Sequence, residues 1–169
     1  ASYSFDGETT ITAASGDTID MGALAATSFT TAGDNITFAT GNIELLNGSN
    51  LTVDTGAAGG NITIGEIAGH SVETVTLDAG TGTTSVGVIG TGTEIGALSI
   101  GSSDNGGITL NGAITTDGIV DLDGPITLAT GAITITTSDN AINLEGTVDG
   151  GQALTLSSVT AKLTANCAI

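Results

Sequence analysis

The sequence predicts an all-β protein: a parallel β-helix (β-solenoid) forming a single domain of about eight short coils. Three observations carry that reading. Short apolar–polar–apolar units recur through most of the 169 residues, and such alternation marks strands with one buried face. The units are separated by Gly, Asp, Asn, Ser, Thr and Ala, residues that favour turns or tolerate them. With 27 Gly, three Phe, one Tyr and no Trp, the core must be built from Ile, Leu and Val in many equivalent layers, the pattern of a repeat protein.

In chain order, residues 1–34 form an irregular β segment or the first coils. Ser2–Phe5, Thr10–Thr12 and Thr18–Asp20 fit strands, with Asp6-Gly7 and Ser15-Gly16-Asp17 as turns. Met21–Thr27 is the one helix-friendly stretch, weakened by Gly22 and too short for a convincing cap. The regular body spans 35–169. Its units begin at Ile36, Ile43, Leu51, Ile62, Val75, Val86, Leu98, Ile108, Val120, Ile126, Ile133, Ile142 and Leu154. Eight of these thirteen units place Thr at the outward central position (Thr37, Thr52, Thr63, Thr76, Thr109, Thr127, Thr134, Thr155). A β-branched residue with a hydroxyl suits a solvent-facing strand. At ~20 residues per coil and ~4.8 Å per level, the rod would be roughly 38 Å long.

A sandwich of antiparallel hairpins is the alternative architecture, and Asn47-Gly48, Asn111-Gly112, Asp117-Gly118 and Asp123-Gly124 are its best turn candidates. Most units, however, support strands of only three to five residues, short for a wide sandwich.

The segment 107–158 resembles the repeat region of large secreted bacterial surface adhesins of the filamentous-haemagglutinin and β-strand-repeat kind. The phrases Ile108–Thr116, Gly124–Leu128, Gly146–Gly150 and Ala153–Leu156 carry the likeness, which covers about a third of the chain well. It implies a right-handed parallel β-helix exported to the surface. This chain is far shorter than those adhesins and shows no secretion domain, so no cell-binding activity transfers to any residue.

Composition narrows the function classes. Asp and Glu total 18 against a single Lys (Lys162) and no Arg, a formal charge of −17. Nothing here can neutralise a row of phosphates or an anionic membrane surface. The same lack of cations excludes a lyase for acidic polysaccharides. No apolar run has membrane-spanning length. The chain begins with Ala1, as an exported chain would after removal of a signal peptide and as an excised fragment would, and the expected location is extracellular or at the cell surface.

No catalytic constellation stands out, and the chain is read as not an enzyme. A glycosidase needs two carboxylates at a set separation. Asp121 and Asp123 share an outward face by the period-2 rule, without a nearby aromatic platform, and read mainly as solvated surface acids. Calcium is the one cofactor the carboxylate-rich composition suits, with Asp121 and Asp123 as weak candidate ligands. Neither the Gly-Gly-x-Gly-x-Asp repeat nor an EF-hand loop is present. His70, between Gly69 and Ser71, reads as a turn residue. The lone Cys167 is compatible with a buried small side chain, an intermolecular disulfide or a free thiol. Asn-x-Ser/Thr sequons occur at Asn35, Asn47, Asn50 and Asn61. Ice binding would require Thr-x-Thr repeated along one side; only 10–12, 74–76 and 134–136 fit.

Neither end shows a clear cap. The patterns of Leu154–Leu156 and 161–164 still read as strand, and residues 168–169 are apolar. Uncapped solenoid ends expose unpaired backbone groups, and a heterologous end-to-end contact builds an open filament. The expected partner is therefore the protein itself. The expected function is an extracellular structural subunit stacking head-to-tail into a surface or biofilm fibre. The alternatives are a stalk segment of a larger adhesin and, behind it, an ice-binding solenoid.

Overall fold

The computed structural model describes residues 1–14, 16–22, 24–101, 106–158 and 163–165. The alternating units become twenty strands, with no helix among these residues. All strand pairings are parallel. The Asn-Gly and Asp-Gly pairs thus lie at corners between faces, and the antiparallel sandwich is ruled out.

Three faces wind around one core. The first stacks β1 (Ser2–Ser4), β4 (Ala26–Thr30), β7 (Asn50–Asp54), β9 (Thr74–Asp78), β11 (Ala97–Ile100), β14 (Val120–Leu122), β17 (Ile142–Leu144) and β20 (Leu163–Ala165). Eight strands in one sheet agree with about eight coils. The second face stacks β2 (Thr9–Thr12), β5 (Ile36–Thr40), the start of β8 (Ile62–Ala68), the start of β10 (Thr83–Ile89), β12 (Gly107–Leu110), β15 (Ile126–Leu128) and β18 (Val148–Asp149). The third stacks β3 (Thr18–Met21), β6 (Asn42–Leu45), the ends of β8 and β10, β13 (Ile114–Thr116), β16 (Ile133–Thr137) and β19 (Leu154–Ser158). The helix-friendly stretch 21–27 is the end of β3, a corner and the start of β4. Its inward residues, Met21 and Thr27, are buried in the sheets, so tertiary pairing outweighs local preference.

The coils are longer than the ~20 residues expected for short-coil solenoids. On the first face Ser2 pairs with Ser28, an offset of 26, and Ile142 with Leu163, an offset of 21. Corner residues make the difference. Seven strands on the second face give seven levels separated by six turns. At ~4.8 Å per level, the eight strands of the first face span about 34 Å.

Inward positions form unbroken columns. Ile19, Ile43, Ile67, Ile89, Ile114, Ile135 and Leu156 line up on the third face, and the five Ile from Ile43 to Ile135 are fully buried. Each buried aliphatic side chain stabilises the fold by roughly 1.5–3 kcal/mol relative to exposure. Three buried threonines bond to corner carbonyls. Thr55 Oγ1 donates to Gly60 O (2.6 Å), Thr116 Oγ1 to Gly118 O (2.6 Å) and Thr137 Oγ1 to Asn140 O (2.5 Å).

Candidate functional site: two ends and a patterned wall

The wall places the residues singled out from the sequence. Asp121 lies outward in β14, between Ser99 and Asn143 of the adjacent strands. Asp123 follows at the corner, and its N–H donates to Ile100 O (2.9 Å). Asp54 and Asp78, paired in register on neighbouring strands, cap turns by accepting from Gly56 N (2.7 Å) and Gly80 N (2.9 Å). Among the described residues no group of three or more His, Cys, Asp or Glu side chains is arranged to hold a metal ion. Lys162 and Cys167 lie outside the described residues.

His70 occupies the corner between β8 and β9, as its neighbours suggested. Its Nε2 is 3.7 Å from Glu44 Oε1, and both side chains are partly exposed. Beside it stands a residue that the sequence reading passed over. Glu73 is fully buried, and its carboxylate accepts from Gly48 N (2.9 Å), His70 N (2.6 Å) and Val72 N (3.2 Å). Burial alone would raise its pKa. The backbone donors outweigh burial and hold the carboxyl below its ordinary value. The clue was present in the alternation: positions 73, 75 and 77 share one parity, so a charge at 73 had to point inward.

Two sequon residues belong to an axial ladder. Asn35 Oδ1 accepts from Asn61 N (2.8 Å), and Asn61 Oδ1 accepts from Thr83 N (2.9 Å). Asn50 Oδ1 accepts from Thr74 N (2.9 Å) one level on. On the second face Thr10, Thr37, Thr63, Ser85, Thr109 and Thr127 form one rank in register. The next outward position on that face is Ala39, Gly65, Gly87 or Asn111 over a shallow groove, so the double Thr rank wanted for ice is missing there.

The ends differ in kind from the wall. Six hydrophobic residues pack on the core while remaining only partly buried: Phe5, Ile11, Ile19, Val148, Leu154 and Leu156. The first three belong to the opening level and the last three to the closing one. At the opening end a hollow of about 330 Å³ is lined by Tyr3, Ile19, Met21 and Phe29, among others. Every aromatic residue of the chain gathers here. Phe29 stacks on Tyr3 at 5.2 Å and on Phe5 at 6.5 Å, and it meets Phe38 edge-on at 5.4 Å. Among the described residues no helix is long and apolar enough to cross a membrane. Comparison of the chain with protein-family models, with curated proteins and with solved structures finds no match in any of the three.

Proposed function

We propose that this chain is an extracellular structural protein, a β-solenoid subunit that stacks head-to-tail into a filament of a surface layer or biofilm matrix. The observation that carries the reading is the distribution of incompletely covered core residues. They sit at the two ends, three and three, while the columns between them are closed. Each end also presents the outer edge of three parallel strands, β1–β3 at one and β18–β20 at the other. Exposed edges of this kind recruit another chain unless something covers them. A contact between two different ends repeats without closing. The acidic, lysine-poor, Thr- and Gly-rich composition supports a location outside the cell.

The same ends support a second reading, in which the solenoid is a stalk segment of a larger adhesin and neighbouring coils cover them. Light scattering and electron microscopy of the purified chain separate the two. Filaments with an axial repeat of about 38 Å per copy, from eight first-face strands at ~4.8 Å per level, are expected. A monodisperse monomer at high concentration in calcium-containing buffer overturns the filament.

A further inference from the structure

We propose that the second face carries a glycan-binding groove, which seats an extended, neutral polysaccharide chain along the axis of the solenoid. The groove needs only the wall, so it is independent of what the two ends contact.

The groove encloses about 570 Å³, a volume in the range of small-ligand sites. One side is the rank of Thr37, Thr63 and Ser85, paired in register across β5, β8 and β10. Ala39, Gly65 and Gly87 form the floor, and Asn111 stands at the far end. Asn111 Nδ2 donates to Ser85 Oγ (3.0 Å). Among the described residues nothing bonds to the side-chain hydroxyls of Thr37 and Thr63. Each hydroxyl can donate and accept, and the rank repeats at one strand spacing, ~4.8 Å.

Charge narrows the ligand. None of the residues lining the groove is charged, although the chain carries 18 acidic residues and a net −17. A basic ligand finds no carboxylate there. An anionic one finds no cation and is repelled by the molecule as a whole. A neutral chain bearing hydroxyls at regular intervals matches the donors and acceptors that remain.

Gly65 gives the groove its depth. Three glycines of the described residues lie in strands: Gly65, Gly87 and Gly107. Gly107 has φ +143°, and a methyl on Gly87 would run into Gly65 O. Gly65 has neither constraint, because its φ is not positive and a methyl there meets nothing within 4 Å. Glycine weakens a strand interior and often marks the close approach of a ligand or another backbone. No backbone of this chain approaches Gly65 on its open side, so the space it leaves is available to a molecule from outside.

The test uses the full chain and two uncharged probes, cellohexaose and chitohexaose, titrated into isotope-labelled protein and followed by NMR. At least one hexaose should shift the amide signals of Thr63, Gly65, Ser85 and Gly87. Gly65→Leu fills the floor and should abolish binding, with circular dichroism reporting that the fold is kept. Thr63→Val preserves shape, removes one hydroxyl and should weaken binding roughly fivefold, the worth of one hydrogen bond. Thr76→Val, the same change on the first face, should bind as the wild type does. No shift with either hexaose overturns the proposal, as does binding that survives in folded Gly65→Leu. If Gly65→Leu does not fold, equal affinity of Thr63→Val and the wild type overturns it. Shifts of the same amides by oligolysine, and by neither hexaose, would assign the groove to a basic peptide and overturn the glycan.

Discussion

At the scale of single residues, Glu73 is the costliest group to bury in the described wall. A carboxylate inside an apolar column is tolerated only when its oxygens are satisfied. Glu73 meets that demand with amides from Gly48 on the level below and from His70 and Val72 of its own corner. It thereby ties two levels together. Glu73→Ala leaves those donors without their acceptor, and the expected loss is about 2–4 kcal/mol, read as a fall in the midpoint of denaturant unfolding. The direction of its pKa shift fixes the pH response. Because the folded value lies below the unfolded one, the contribution is fully present above the ordinary carboxylate range. It fades as pH drops through the folded value. Thermal melts from neutral to acidic pH should show the wild type losing stability faster than Glu73→Gln. Parallel slopes for the two proteins would show that the carboxylate contributes nothing through ionisation.

At the scale of strands and corners, the two central levels show what alternation can and cannot reveal. The inward Ile, Leu and Val of each unit were readable because period-2 spacing fixes their side of the strand. The corner geometry was not, since it depends on how one level lies over another. Val86-Gly87-Val88 reads as a strand unit, yet it sits where β10 bends from the second face to the third, above the matching bend of β8 at Gly65. A methyl at Gly87 would lie 1.8 Å from Gly65 O, whereas a methyl at Gly65 meets nothing within 4 Å. Two glycines in register thus have opposite tolerances. Gly87→Ala is expected to lower stability by about 2–3 kcal/mol through backbone displacement, and Gly65→Ala to change it by under about 1 kcal/mol. Equal effects in chemical denaturation would mean that the bend relaxes freely. Glu73 shares this history: its inward parity was visible, but its donors come from a neighbouring level and from the fold of its own corner.

At the scale of the whole molecule, charge and shape act over different ranges. Parallel stacking and the approximate number of levels followed from local pattern, because each level repeats the same inward code. The gathering of Tyr3, Phe5, Phe29 and Phe38 at one end did not, since it depends on a register between levels that only the folded stack fixes. In the proposed filament, each copy brings a net charge of −17 to its neighbour. Such long-range repulsion is screened by mobile ions, with a Debye length of about 30 Å at 0.01 M salt and about 8 Å at 0.15 M. The critical concentration for assembly should therefore fall by roughly tenfold between those two conditions. Sodium and calcium chloride matched for ionic strength distinguish screening from site binding. Similar onsets of light scattering in the two salts are expected if screening governs assembly. Onset only with calcium, at ionic strengths where sodium has no effect, would instead demand a bridging cation at the junction and would return the surface carboxylates to consideration as ligands.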